Sequence, residues 1–277
     1  MDKRIGFIGC GNMGKAMVGA LAASPEIGSG KVIVSAKREK SLQAIKEKWG
    51  VETTLLNREV ARQSDFIILA VNPNLYKQVI EEIADLISED KVIITIAAGI
   101  ALAELEEWFG KKVKIVKTMP NTPVLAKEGM SAICPNLYIT EAELSEVLQL
   151  FGLFGECELL EEEEFHAFIA LCGSSPAYVF VMIEAMADAA VKLGIQREKA
   201  YRMAEQSILG SAKLALQTGL HPGELKDMVC SPGGTTIEAV AELEKQGFRK
   251  SLIHAMEVCA GKSMAMGSKK NAIKRGS

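Results

Sequence analysis

Histidine is scarce in this 277-residue chain: His166, His221 and His254 lie far apart, without the spacing of metal ligands. Each reads as a surface or satisfied residue, and no metal site is expected. The six cysteines (Cys10, Cys134, Cys157, Cys172, Cys230, Cys259) include no C-x-x-C pair. Neither a disulfide framework nor a zinc site follows, and reduced thiols in a cytoplasmic protein are expected. Excess charge is missing too. A net charge of −3 leaves no basic footprint for nucleic acid. No leader precedes the first apolar run, so no signal peptide is expected. The most apolar stretch, 167–193, is broken by Pro176, Glu184 and Asp188. It reads as a buried helix, with no membrane partner. What remains is 48% hydrophobic and 24% charged, the composition of an ordinary globular protein with material for one large or two smaller domains.

The strongest signal is at the start. Arg4-Ile5-Gly6-Phe7-Ile8 reads as a buried strand, and Gly9-Cys10-Gly11-Asn12-Met13-Gly14 as a G-x-G-x-x-G turn opening a helix. Gly9 permits the sharp turn. Gly11 leaves room for a pyrophosphate against the backbone. Gly14 lets helix and strand pack closely, while the helix start offers free N–H groups to phosphate. Because the turn follows an apolar strand and precedes an amphipathic helix (Met13, Met17, Leu21), a dinucleotide site is expected here.

Strand and helix then alternate. Helices are expected at 12–24, 39–49, 74–87 and 140–152, with a brief one after Asn57. Strands are expected at 31–35, 51–54, 66–71, 92–96, 113–117, 130–134 and 155–158. The near-continuous apolar run Phe66–Val71 suits a strand buried on both faces of a parallel sheet. After the second strand, NAD-selective folds place an acid; this chain has Ser35-Ala36-Lys37-Arg38. A hydroxyl and two cations attract the 2′-phosphate that an acid repels, so NADPH is expected over NADH. Later strands end in Ala70-Val71-Asn72-Pro73, Ala97-Ala98-Gly99 and Met119-Pro120-Asn121. The carboxyl edge of a doubly wound sheet is where ligands lie. These residues, with Asn57, are therefore candidate cofactor contacts, Asn121 toward the nicotinamide.

From 161 onward the alternation stops, and Ala, Met, Leu and Glu recur at helical spacing. Helices are expected at 163–171, 175–193, 197–218, 222–229, 234–246 and 249–267. The run Glu161–Glu164 reads as a solvated helix start, with a substrate role for one carboxylate as the alternative. The tail 269–275 reads as a frayed end. The architecture expected is an α/β, doubly wound (Rossmann) N-terminal domain, 1–160, and a C-terminal all-helical domain, 161–277. Within the helical part, Ser231-Pro232-Gly233-Gly234-Thr235-Thr236 stands before an amphipathic helix. Proline starts the turn, glycines free the backbone, and N–H groups at a helix start point one way. This is an anion site sized for a carboxylate or phosphate, or else an ordinary helix cap.

Together these runs resemble the pyrroline-5-carboxylate reductase family. The likeness rests on Gly6-Phe7-Ile8-Gly9-x-Gly11-x-Met13, Ala70-Val71-x-Pro73, Ala97-Ala98-Gly99-Ile100, Met119-Pro120-Asn121-Thr122-Pro123, Pro176-Ala177-Tyr178, and Ser231–Thr236 followed by Leu243-Glu244. It implies NADPH-dependent reduction of 1-pyrroline-5-carboxylate to L-proline, a helical domain interlocked with a partner subunit, and dimers that group into decamers. It also implies that Ser231, Gly233, Gly234, Thr235 and Thr236 hold the substrate, on a loop contributed by the partner subunit. The N–H groups of Gly234 and Thr235 would take its carboxylate, with Thr236 on the ring nitrogen. Three positions depart from the family pattern. Asn72 stands where lysine is common. Cys172-Gly173-Ser174-Ser175-Pro176 replaces Ser-Gly-Ser-Gly-Pro. Met228 stands where a polar residue is common. A β-hydroxy-acid dehydrogenase would need a lysine on the first long helix, and 175–191 has none before Lys192. A non-catalytic redox sensor would leave the 231–236 loop without a purpose.

Overall fold

The computed structural model describes the backbone of residues 2–274 and the side chains of residues 2–266. Strand and helix alternate first: β1 (Ile5–Ile8), α1 (Asn12–Ala22), β2 (Val32–Ser35), α2 (Glu39–Trp49), β3 (Glu52–Thr54), α3 (Asn57–Gln63), β4 (Phe66–Leu69), α4 (Tyr76–Ile83), β5 (Val92–Thr95), α5 (Leu102–Phe109), β6 (Lys114–Pro120), β7 (Gly129–Pro135), α6 (Glu141–Gly152) and β8 (Gly155–Leu159). One sheet contains all the strands, ordered β3-β2-β1-β4-β5-β6-β7-β8. β1 to β6 run parallel, β7 is antiparallel to β6, and β8 is parallel to β7. This is the doubly wound order, with its switch point between β1 and β4.

The strands are buried on both faces because their side chains alternate between two cores. Ile5, Phe7, Phe66, Ile68, Val92 and Ile94 pack on one side with α1 and α6 residues. Ile8, Ile67, Leu69 and Ile93 pack on the other with Val60, Ile80 and Leu105. On this second side α3 comes so close to β1 that Gly6 admits no side chain: a Cβ there would lie 2.2 Å from Ser64 Oγ and 2.4 Å from Val60 Cγ1. We expect Gly6→Ala to cost about 1–3 kcal/mol by overpacking. The drop would be read as an earlier urea midpoint, and an unshifted midpoint would refute the packing account.

After a 3₁₀ turn at Glu162–Glu164, further helical segments follow among the described residues. They are α7 (Phe165–Phe168), a π turn (Ile169–Gly173), α8 (Ser175–Lys192), α9 (Arg197–Thr218), α10 (Pro222–Val229), α11 (Thr235–Lys245) and α12 (Phe248–Lys274). The side chains of the 269–275 tail lie outside the described residues. Chain contacts divide the molecule into two compact units. One runs through Gly173 and includes the chain from Ala260 onward, and the other is Ser174–Cys259.

Within the single chain, the stretch expected as a buried helix is buried only in part: Phe168 and Ala170 are buried ahead of α8, but most of α8 is not. Ala187 is the one buried residue of α8, while Phe180, Val181, Met186 and Leu193 stand exposed. The reason lies in what faces it. α8 packs on α9, and the buried residues of this pair are the small Ala187, Ala200 and Ala204. That contact is too narrow to cover the wide apolar faces of both helices. By length and composition the run Glu162–Lys192 would suffice to cross a membrane, and only 11% of its most apolar window is buried.

Candidate functional site

Gly9 has φ of +86°, a conformation glycine adopts freely, and a Cβ there would meet Val71 Cγ1 at 2.5 Å. Its N–H donates to the Ser35 carbonyl at 3.0 Å, tying the turn to the end of β2. A Cβ on Gly14 would stand 3.2 Å from Ala70 Cβ, so α1 sits directly against the end of β4. A Cβ on Gly11 would meet nothing within 4 Å. Open space therefore lies over the middle of the turn. The first turn of α1 has no side-chain cap and no acidic residue. The N–H groups of Asn12, Met13 and Gly14 consequently lack intrahelical acceptors. Between the glycines, burial pushes the Cys10 thiol up to about 11, with Lys15 pulling the other way. The thiol thus stays neutral at physiological pH and adds no charge against an anion. These features fit a pyrophosphate.

At the end of β2, Ser35 is wholly buried, and its hydroxyl donates to Asn57 Oδ1 at 2.8 Å. Asn57 Nδ2 in turn donates to Glu82 Oε2 at 2.8 Å. Ser35 therefore orients Asn57, and its hydroxyl hydrogen does not face outward. Lys37 and Arg38 are exposed and form no ion pair among the described residues. Two uncommitted cations at this edge suit a phosphate on a ribose hydroxyl.

Beyond β4, Asn72 Oδ1 accepts the Asn74 N–H at 3.1 Å and caps the short 3₁₀ turn that begins at Pro73. The side chain that departs from the family pattern is thus engaged in shaping its own loop. Beneath lies Tyr76, fully buried, whose hydroxyl donates to the Leu69 carbonyl. Burial pushes its pKa upward, while backbone N–H groups of Ile96 and Ala97 pull it down. The phenol accordingly stays protonated and joins the ends of β4 and β5 beside Ala70–Pro73 and Ala97–Gly99. Sequence reasoning missed it because only the turn before α4 places it there. We expect Tyr76→Phe to cost about 1–3 kcal/mol, since a buried carbonyl and N–H groups lose their partner. Chemical denaturation checks this, and wild-type stability in the variant would refute it.

The ends of β5 and β6 border a cavity of about 460 Å³ lined in part by Ala98, Gly99, Lys117, Met119, Glu162 and His166. Its size falls in the range of small-molecule sites. Asn121 is buried beside it; Nδ2 donates to the Cys172 carbonyl and Oδ1 accepts the Met130 N–H, both at 2.9 Å. The side chain expected to reach the nicotinamide thus also joins β7 to the π turn. His166 Nδ1 lies 2.9 Å from Ser263 Oγ. Glu162 is not simply a solvated helix start: it pairs with Lys117 at 2.6 Å.

In the Ser174–Cys259 unit, Ser231–Gly234 forms a tight turn that leads into α11. Gly233 has φ of +65°. The Gly234 N–H, expected to face a carboxylate, instead donates to the Ser231 carbonyl at 3.0 Å. The turn must close in order to aim the helix, and this bond closes it. The first-turn N–H groups of Thr235 and Thr236 remain for an anion, because α11 has no side-chain cap. His221, just before α10, caps that helix by accepting the Gly223 N–H at 3.1 Å.

A parallel sheet wound in this order, with an open glycine turn at its switch point, defines a dinucleotide-binding oxidoreductase fold. Residues 4–99 match a family model described as NADP oxidoreductase, coenzyme F420-dependent. Residues 162–266 match the pyrroline-5-carboxylate reductase dimerisation model. The chain is 47% identical over 263 residues to a pyrroline-5-carboxylate reductase of Escherichia coli, covering 95% of this chain and 98% of that protein. Among solved structures, the enzyme of that name from Coxiella burnetii superposes with a TM-score of 0.90 at 33% identity, over 96% of this chain and 99% of that one. The Plasmodium falciparum pyrroline carboxylate reductase with NADP bound gives 0.85 at 32% identity, over 96% and 98%. The chain belongs to the pyrroline-5-carboxylate reductase family.

Proposed function

We propose that this protein reduces 1-pyrroline-5-carboxylate to L-proline with NADPH, the last step of proline biosynthesis. The two sites divide the labour: residues 1–160 hold the dinucleotide, and residues 161–277 hold the substrate and the dimer contact. Gly9, Gly11, Asn12, Met13 and Gly14 would bind the pyrophosphate. Lys37 and Arg38, beside Ser35 and Asn57, would bind the 2′-phosphate, which favours NADPH over NADH. Ala70–Pro73, Ala97–Gly99, Met119 and Asn121 would line the path to the nicotinamide.

When bound, the cofactor supplies the hydride. The protein supplies the rest. The substrate carboxylate sits on the first-turn N–H groups of Thr235 and Thr236, with Ser231 and Gly233 shaping the turn. The protonated ring nitrogen donates to the Thr236 hydroxyl, which aims the C=N carbon. That nitrogen takes its proton from water, so no histidine or lysine is required as acid. Holding two reactants in attack geometry is worth about 7–11 kcal/mol, enough to carry the catalysis. The observation that supports the reading is the Ser231–Thr236 turn, which leads into a helix start that has no side-chain cap and carries two threonine hydroxyls. The exposed apolar faces of α8 and α9 are read as the contact with a second copy. This gives a homodimer, with a pentamer of dimers as the larger assembly, in the cytoplasm and without nucleic-acid or membrane partners. The test is NADPH consumption that depends on added imine and yields proline. Binding of NADPH with no turnover of the imine would overturn it.

A further inference from the structure

Lys117 lies in mid-sheet on β6, paired with Thr95 on one side and Cys134 on the other, and only 6% of it is exposed. A buried ammonium is costly without a partner. Glu162 provides one: its Oε1 accepts from Lys117 Nζ at 2.6 Å, and the ammonium also lies 4.9 Å over the Phe165 ring. The same oxygen accepts the Leu102 N–H at 2.9 Å. Leu102 is the first residue of α5, and the residue before it, Ala101, has no side chain able to cap. Glu104 takes the Ala101 N–H at 3.2 Å, and a carboxylate 60 positions away takes the next donor, the Leu102 N–H, that no side chain at Ala101 can reach.

The pair thus acts on a short strap. Leu102 begins three residues after Gly99, whose φ is +75° and around which a Cβ would meet nothing within 4 Å. Upstream the strap is anchored by β5 and Tyr76, and downstream by two bonds, the Ala101 N–H on Glu104 Oε2 at 3.2 Å and the Leu102 N–H on Glu162 at 2.9 Å. We infer that the Lys117–Glu162 pair is a positioning device that holds Ala97–Gly99 at the height at which the nicotinamide end of the cofactor meets it. This rests on the reading above that the cofactor lies against Ala97–Gly99. Lys117 fixes the Glu162 carboxylate, Glu162 fixes α5, and α5 fixes the strap.

The test measures NADP⁺ dissociation constants by protein fluorescence, beside steady-state constants, in the full-length protein. Lys117→Met is expected to weaken NADP⁺ binding and raise KM for NADPH about tenfold, with KM for the imine within twofold of wild type. Lys117→Arg keeps a cation over the ring and restores both values. The double variant Lys117→Met/Glu162→Leu removes both charges and the burial cost with them, so it keeps a folded sheet. It still lacks the acceptor for Leu102, and NADP⁺ affinity stays low. Wild-type NADP⁺ affinity in the folded double variant would overturn the inference, as would equal losses for both substrates. Ala98→Leu separates the two layers of the argument, because Ala98 is exposed and its side chain can grow without disturbing the core. If Ala98→Leu weakens NADP⁺ and the pair variants do not, the positioning role alone fails. If Ala98→Leu also binds as wild type, the cofactor path itself is misplaced.

Discussion

Thr236→Ala lowers kcat/KM for the imine about a hundredfold, the scale of loss when a reacting group is misplaced by about an ångström. Thr236 is the second residue of α11, just past a turn closed by Gly234 onto Ser231. In the proposed pose its N–H meets the carboxylate and its hydroxyl the ring nitrogen of a bound imine, at a helix start that has no side-chain cap. Removing the hydroxyl leaves the N–H in place. The substrate still binds by its carboxylate, but its C=N carbon is no longer aimed. The loss therefore falls more on kcat than on KM, and NADPH affinity is unchanged. Thr236→Ser retains the hydroxyl and stays within a few-fold of wild type. Steady-state kinetics on the two variants check this, and full kcat/KM in Thr236→Ala would remove Thr236 from the mechanism.

Lys37→Ala together with Arg38→Ala lowers the NADPH-over-NADH preference between about tenfold and a hundredfold. Charge-assisted hydrogen bonds to phosphate contribute about 1.5–3 kcal/mol when well formed. Exposure and salt reduce this toward about 1 kcal/mol for each cation. Both side chains are exposed and have no carboxylate partner among the described residues, so a 2′-phosphate would meet two uncommitted charges. NADH lacks that phosphate, and its KM stays near wild type. The effect shrinks as salt rises, because exposed charges are screened. An unchanged ratio of the two kcat/KM values would discard the charge argument while leaving the reaction intact.

The fold was legible wherever a local pattern decides it. Unbroken burial in Phe66–Leu69 follows from an apolar run suited to two cores, and α9 and α10 begin and end where their sequence pattern places them. Long-range pairings were not legible. β6 extends to Pro120 because β7 pairs against it antiparallel, and no window around 114–120 contains that fact. Exposure of α8 within one chain was not legible for a related reason: apolar content says that a face will be covered, not which chain covers it. At the site, the glycine turn was readable from its spacing taken with the apolar strand before it and the amphipathic helix after it. Tyr76, Lys117 and Glu162 were not, because each draws its role from a partner on another element. Lys117 and Glu162 are 45 positions apart and adjacent only once β6 and the segment before α7 are in place. The Gly234 N–H was expected on the ligand and is found in the turn, since a sequence names a donor without naming its acceptor.

The central claim is hydride transfer from the nicotinamide to the imine carbon. Its most direct test is turnover of pyrroline-5-carboxylate with NADPH deuterated at both nicotinamide C4 positions, followed by mass spectrometry of the product. The account predicts proline one mass unit heavier, with the deuterium on the ring carbon that had been part of the C=N bond. Unlabelled proline, or cofactor bound without any proline formed, would contradict it.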